Sequence, residues 1–372
     1  MPPVHFHTGR FPPKDIDWTR LIPLLSPASA ALARFDGILM AMTNADILLA
    51  PLTTREAVLS SRIEGTQATM GEVLEYEAET GGPEPSPSRL ADIHEILNYR
   101  RAMDTALHLM EELPLCQRVV KAAHEVLLSG VRGENRAPGQ YRTILNWIGP
   151  PGCAIDQARY VPVAADQLPQ AMGDWEQFLH ADYMDKLVQL ALAHAQFEAV
   201  HPFLDGNGRL GRMLIPLFLH QAGVLSRPAF YMSAFLESRR DEYYDRLLAV
   251  SSNDDWTGWC EFFLQGVIHQ ARENQDKARR IVALHQDTLI AVADWTRSQY
   301  APLAVEFLFQ HPIFKVSSFA GLSGLPAPTA RRIISQLDAH GLFDTLRPAR
   351  GRRPATYAFR ELLNIAEGDT VR

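Results

Sequence analysis

One His, one Asp, one Asn, two Arg and three Gly stand within twelve residues, His201-Pro-Phe-Leu-Asp-Gly-Asn-Gly-Arg-Leu-Gly-Arg212. Together these residue types suit anion chemistry. Gly206, Asn207 and Gly208 tolerate left-handed backbone, so successive N–H groups can turn inward as a nest. A helix starting near Gly208 adds the positive end of its dipole at the same spot. Arg209 and Arg212, three apart, share one face of its first turn. Two guanidiniums and a nest suit several phosphate oxygens better than one carboxylate. Asp205 is the only acid of the segment, and one carboxylate plus phosphate oxygens is how Mg²⁺ is usually held. His201 titrates near neutral pH and can handle a proton beside the anion.

Other chemistries fit less well. The string Gly206–Gly211 matches G-x-G-x-x-G, but a helical stretch, Leu187 to Val200, precedes it where a dinucleotide site needs a strand. No Lys follows the glycines, so it is not a phosphate loop of the G-x-x-x-x-G-K-[ST] kind. His194 and His201 are seven apart without a third metal ligand at a useful spacing, which leaves His194 as a core-facing helix residue.

The segment interrupts two apolar stretches, DKLVQLALAHAQFEAV before it and MLIPLFLHQAG after it, so two core helices must position it. Upstream, the first 25 residues hold five prolines and predict an extended surface arm. Helical patterning begins near Ser26. A second helix or pair covers roughly Pro51 to Glu79, a Gly/Pro/Ser loop follows, and helices are predicted over Leu90 to Leu113 and Leu115 to Ser129. Between Gly130 and Pro169 turn dipeptides and β-branched residues predict a hairpin with arms near Thr143–Ile148 and Ala158–Val163. Helices resume at Asp166 and continue to about Gln299. The fold class expected is mainly α, a helical core with an inserted β-hairpin flap and a small C-terminal module. The predicted domains are an N-terminal helical region over 1–95, a core over 96–285 and a module over 300–372.

The chain has 372 residues, 47% hydrophobic, with a net charge of −7 and three widely spaced cysteines. This excludes a generally basic nucleic-acid binder and gives no disulfide framework. No apolar run reaches the ~18 residues of a membrane span, and the N-terminus lacks a signal-peptide core. A cytoplasmic protein without a membrane partner is expected.

The central segment resembles the signature of Fic-domain proteins, H-[FP]-x-x-[DE]-G-N-G-R-x-x-R, through His201, Phe203, Asp205, Gly206, Asn207, Gly208, Arg209 and Arg212. The resemblance extends over roughly Leu115 to Val267. PGQYR-x-x-x-x-WIG with ARYVPV is similar to that family's flap, and DEYYDRLLAVSSNDDWTGWCEFFL to the helices that close its nucleotide pocket. It implies transfer of AMP from ATP onto a Ser, Thr or Tyr hydroxyl of a protein, the chain itself included. His201 is then the general base, Asp205 holds Mg²⁺, and Asn207, the Gly206 and Gly208 backbones and Arg209 hold the α- and β-phosphates. Arg212 reaches the γ-phosphate and Tyr243 lines the adenine side. Phe203 anchors the loop, and Ala158, Arg159, Tyr160 and Val161 form the target-docking flap.

Two further segments gain meaning from that resemblance. Leu59-Ser-Ser-Arg-Ile-Glu-Gly-Thr66 places Ser60 and Glu64 four apart on one helix face. It resembles the family's inhibitory motif [ST]-x-x-x-E-[GN], in which the Glu pairs with the second motif Arg, here Arg212. An N-terminal inhibitory helix is thereby implied, with Glu64 contesting the ATP site. From His311 to Arg360 the chain reads as helix, turn, helix and hairpin and resembles a winged helix-turn-helix. Eight Lys/Arg there stand against two acids, a net charge of +6 suited to DNA phosphates; winged helices also dock proteins. A homodimer is compatible with this reading. The motif reads phosphates and not bases, so removal of AMP, transfer of UMP or phosphocholine, and a nucleotide-sensing transcription regulator remain alternatives.

Overall fold

The computed structural model describes residues 2–78, 85–150, 152–350 and 354–368. The first half of the predicted Gly/Pro/Ser loop falls on 79–84, and Arg352 and Arg353 of the basic hairpin tip on 351–353, outside the described residues; the loop's last residues already belong to the helix that starts at Pro87. The chain is mainly helical. In order come strand β1 (Val4–His5) and helices α1 (Trp18–Ala41), α2 (Ala45–Ile63), α3 (Met70–Glu77), α4 (Pro87–Met110) and α5 (Gln117–Leu127). Strand β2 (Tyr160–Val161) is followed by α6 (Leu168–Leu179), α7 (Lys186–Val200), α8 (Asn207–Gln221), α9 (Ser233–Ser238), α10 (Arg240–Asn253) and α11 (Trp256–Thr296). The last elements are α12 (Ala301–Gln310), β3 (Ile313–Lys315), α13 (Val316–Leu322), α14 (Ala327–Ala339), β4 (Asp344–Arg347), β5 (Thr356–Ala358) and α15 (Arg360–Glu367). They form two compact units, each discontinuous in sequence: 1–37 with 59–66 and 97–273, and 38–58 with 67–96 and 274–372.

In the first unit α7 is the central helix, packed by α6, α8 and α10. Asp185 caps its start by accepting the N–H groups of Leu187 and Val188 at 2.8 and 3.0 Å. Its helical residues are buried apart from Lys186 and the half-buried Glu198. Burial on every face explains why its sequence is apolar all round rather than striped. Two indoles close over it, Trp175 and Trp259 donating to the carbonyls of Ala193 and Ala191. Phe197, fully buried, is a keystone here; truncation to Ala should cost about 3–5 kcal/mol.

Two expectations need correction. The predicted hairpin is reduced to one antiparallel bridge, Ile148 to Tyr160, with a 3₁₀ turn at Ile155–Gln157 in the intervening loop. Gly149, Pro150 and Gly152 favour a wide turn over a ladder, since Pro cannot donate and Gly stiffens nothing. In place of a second long arm, the N-terminal segment pairs in parallel, β1 with β2, Val4 opposite Tyr160. That segment is therefore more than a surface arm. His7 is buried and bonds Ser251 Oγ and Gln196 Oε1, each at 2.8 Å. Second, α1 is long and apolar enough to cross a membrane by length and composition, unlike the sequence expectation. One face of it, Leu21, Ala28, Ala31, Leu32 and Phe35, is buried, with Phe35 meeting Phe230, while 28% of its most apolar window is buried and Ile22 is exposed.

In the second unit, α13 and α14 are joined by the turn Ser323–Pro326 and lie between β3 and β4 of a three-stranded antiparallel sheet in the order β3-β5-β4. Ile333, Ile334 and Leu337 of α14 are buried. Helix α3, closed by a Thr69–Glu72 capping box, packs on β3.

Candidate active site

Helix α7 stops at His201 because Pro202 disfavours right-handed α backbone in the residue before it. His201 takes the left-handed conformation, φ 49° and ψ 61°, at a cost of order 1–3 kcal/mol for a non-glycine. Its N–H still bonds Phe197 O at 3.0 Å. A guanidinium reinforces the turn. Arg142, 2% exposed, donates to the carbonyls of His201 at 2.9 Å, Val200 at 3.2 Å, Ile144 at 3.3 Å and Val163 at 2.5 Å.

The loop beyond His201 is fixed from inside. Phe203 is fully buried and stacks on His124, ring centroids 3.7 Å apart. His124 Nδ1 accepts the Gly139 N–H at 2.8 Å, so Nε2 carries the proton and donates to Asp205 O at 3.0 Å. Burial pushes this imidazole down to about 4, which keeps it neutral. Asn207 accepts the Phe203 N–H through Oδ1 at 2.8 Å and donates through Nδ2 to Phe203 O at 2.9 Å. Its side chain thus closes the loop, and what it can offer an anion is backbone N–H. Gly206 caps α8 with φ 80°, and a Cβ there would also crowd Leu127.

At the mouth of α8 the first helical bond is Leu210 N–H to Gly206 O, so the Asn207 and Gly208 N–H groups precede the intrahelical ladder. Arg209, nearly buried, pairs with Asp205 at 3.2 Å. Arg212 is buried and donates Nε to Ser60 Oγ at 2.9 Å and Nη2 to Ser60 O and Glu64 Oε1, both at 2.8 Å. Glu64 follows the last turn of α2, where Gly65 at φ 102° ends the helix. Its carboxylate also lies where a Cβ on Gly208 would project. A protein carboxylate therefore occupies the positive, N-terminal end of α8. Burial alone would raise the Glu64 carboxyl, but Arg212, Arg209 and His201 hold it below its ordinary value. Burial would lower the Arg212 guanidinium, yet Glu64 foremost among nearby groups leaves it raised.

Burial pushes His201 down to about 4, with Glu64 opposing and Arg142 adding to the shift. The ring is thus a neutral base at physiological pH. Its buried Nδ1 makes no hydrogen bond of ordinary geometry. Three residues earlier, the Glu198 carboxyl is pushed up to about 7 by burial, against the pull of Arg212. It sits over Gly211, whose lack of a side chain admits it.

The structure thus brings together His201, Asp205, Gly206, Gly208, Arg209, Arg212, Ser60 and Glu64. Tyr243 is placed differently from the adenine-lining expectation. It is 1% exposed and its hydroxyl donates to His194 Nε2 at 3.0 Å, so it offers no surface to a base. His194, stacked on Trp259, is the core residue its helix position predicts. The flap also differs. Ala158, Tyr160 and Val161 are buried, and the backbone at Arg159–Val161 is already bonded to Val4, Phe6 and Ile148. Arg159 pairs with Asp245 at 2.5 Å. No further strand can add at Ala158–Val161 as they stand. The exposed surface lies beside them, at Ile144, Leu145, Trp147, Ile148 and Ile155. Asn146 ties this segment to the loop through Phe203 O at 3.2 Å.

Among the described residues no three His, Cys, Asp or Glu converge as a metal cluster. Asp205, its side chain 36% exposed, is the carboxylate of the loop, and it fits a divalent ion delivered with phosphates better than a resident one. His124, Arg142 and Glu198 were not singled out from the sequence. Arg142 ends the quoted PGQYR, so a signal existed; His124 lies in an ordinary amphipathic helix and carries none.

Residues 22–108 match the family model described as Fic/DOC family N-terminal, and residues 114–219 the one described as Fic/DOC family. Over 204 residues the chain is 26% identical to protein adenylyltransferase fic-1 of Caenorhabditis briggsae, a match covering 52% of this chain and 35% of that protein. It is 31% identical over 99 residues to protein adenylyltransferase Fic of Drosophila willistoni, covering 26% of this chain and 18% of the relative. These matches thus take in about a third or less of each curated relative. A solved Fic family protein from Desulfovibrio desulfuricans has a TM-score of 0.59 at 21% identity, covering 93% of this chain and 98% of that one. A Fic domain containing signaling protein from Bacteroides thetaiotaomicron has a TM-score of 0.55 at 16% identity, covering 68% and 97%. At these identities the likeness is one of fold.

Proposed function

This chain belongs to the Fic/DOC family, and from that premise we propose that it transfers AMP from ATP to a Ser, Thr or Tyr hydroxyl of a protein, itself included, and is restrained by Glu64. The observation that carries the reading is the convergence on one loop of a neutral base, His201, and the anion-binding start of α8 with Arg209 and Arg212. The relatives named as adenylyltransferases support a Fic-type transferase. The acceptor hydroxyl gives its proton to His201 while its oxygen attacks the α-phosphorus. The bond from that phosphorus to the bridging oxygen breaks, and pyrophosphate leaves.

Catalysis here is positioning and charge neutralisation. The Asn207 and Gly208 N–H groups and Arg209 hold the α- and β-phosphates, and Arg212 the γ-phosphate. Asp205 would hold Mg²⁺, which neutralises charge on the phosphates when bound. Exposed Ile144, Leu145 and Trp147 supply the surface for a protein target. Arg212 cannot serve Glu64 and the γ-phosphate together, so restraint follows from the pairing.

For the C-terminal module, a winged helix-turn-helix reading rests on the α13–α14 turn and the β4–β5 hairpin. Arg347 and Arg360 pair with Glu75 and Asp344, while Arg331 and Arg350 are exposed. These two are the phosphate-contacting residues of a DNA-binding face.

Incubation with α-labelled and, separately, γ-labelled ATP tests the transfer. Protein labelled only by the α-label supports AMP transfer. A γ-label on protein means phosphoryl transfer, and no label at all in Glu64→Gly leaves a nucleotide sensor.

A further inference from the structure

We propose that Arg142 is the positioning residue for His201, locking the base at the end of α7 and tying it to the segment that carries the exposed apolar surface. The inference rests on the proton-accepting role of His201 given above. The last carbonyls of a helix have no partner within it and carry the negative end of its dipole. At α7 those of Val200 and His201 turn to one guanidinium, with Nε on His201 O at 2.9 Å and Nη2 on Val200 O at 3.2 Å. The same group holds Ile144 O and Val163 O, on either side of the 145–162 segment. The Arg142 backbone N–H adds a bond to Pro202 O at 3.0 Å. Arg142 thus bonds Val200, His201 and Pro202 in succession, around a residue in left-handed backbone.

A planar fork spanning four carbonyls is a geometry that Lys cannot reproduce, since its ammonium is a compact point charge. The charge acts as well. The groups facing His201 are Glu64 from the end of α2, Asp205 from the loop, the Glu198 carbonyl from α7, and Arg142. The first three favour the imidazolium, and Arg142 alone among them opposes it. Removing its charge should let His201 protonate at higher pH, while the loss of rate follows from the lost carbonyl contacts that aim the ring.

The test uses the full chain with ¹³C-labelled histidine. Titration of the His201 resonance, assigned by its loss in His201→Ala, is compared in wild type, Arg142→Lys and Arg142→Gln. Single-turnover AMP transfer and the KM for ATP are measured in parallel. Arg142→Gln should raise the His201 midpoint by more than ~0.5 pH unit. Arg142→Lys should leave the midpoint in place. Both should lower kcat by about 10–100-fold with KM nearly unchanged, as a base displaced by an ångström does. An unmoved midpoint in Arg142→Gln, or wild-type kcat in Arg142→Lys, overturns the proposal. Should Arg142→Gln fail to fold, the kcat of Arg142→Lys decides alone. Absence of transfer in wild type and in Glu64→Gly would sink the transferase reading instead, and the titration would still decide whether Arg142 sets the state of His201.

Discussion

Nη2 of Arg212 lies 2.8 Å from Oε1 of Glu64, and that carboxylate rests against Gly208 at the start of α8. One internal acid thus engages both an arginine and the positive, N-terminal end of a helix. A Cβ on Gly208 would enter the space of that carboxylate, so Gly208→Ala should loosen the Glu64–Arg212 pair. The measurable result is easier ATP entry, seen as a lower KM for ATP, offset by a lower kcat where the new methyl crowds the phosphates.

His201→Ala should lower AMP transfer by about 10²–10⁴-fold, the usual contribution of a positioned base. ATP affinity by calorimetry should change little, because the nest and the arginines remain. Transfer at the wild-type rate would remove His201 from the mechanism.

Stability should fall on acidification. His7, His124 and His201 are each pushed down to about 4 by burial, and His194 to about 3. Unfolded histidines titrate near 6.5, so between pH ~6.5 and ~4 the unfolded chain binds more protons than the folded one. Each such histidine then costs about 1.4 kcal/mol per pH unit as pH drops, and nothing above 6.5. Glu198, pushed up to about 7, acts in the opposite sense but is a single group. Melting temperature should therefore plateau above pH 7 and decline steadily toward pH 4.5. A flat profile would mean that these rings take up protons in the fold.

Asn207→Ala removes both bonds that close the loop on Phe203 and leaves the buried Phe203 N–H unpaired, while Phe203 O keeps its bond from Asn146. A loss of about 2–3 kcal/mol in denaturant unfolding is expected. Transfer should fall too, since the loop that aims Gly208 is no longer closed.

Much of this site was legible in the sequence because its logic is local. His201, Asp205, Gly206, Gly208, Arg209 and Arg212 fall within one helix break, and residue type with spacing is enough to single them out together. Glu64 was reachable only through resemblance, since nothing local ties it to a residue 148 positions away. Arg142 and His124 were missed for the same reason, as their partners are carbonyls and a ring brought together by packing. Tyr243 was misplaced because a helical tyrosine reads alike whether its hydroxyl meets a ligand or a buried histidine. The flap was predicted too regular, because pairing depended on an N-terminal strand more than 150 residues distant.

For the C-terminal module, a mixed-sequence duplex should bind with an affinity that falls steeply with salt. Arg331→Glu with Arg350→Glu should abolish most of that binding and spare AMP transfer. Absence of binding at low salt would point to protein docking.

The contest for Arg212 is central to the proposed restraint, and self-labelling by α-labelled nucleotide measures it directly. Wild type, Glu64→Gly and Glu64→Gly with Arg212→Ala are compared, each with ATP and with ADP as the AMP donor. Glu64→Gly should label at least ~10-fold faster with ATP, in line with what correct substrate alignment supplies. The double variant should lose most of that gain. ADP, without a γ-phosphate to contest Arg212, should gain far less. Equal labelling of folded wild type and Glu64→Gly with ATP would contradict the restraint and leave Glu64 as an ordinary partner of a buried arginine.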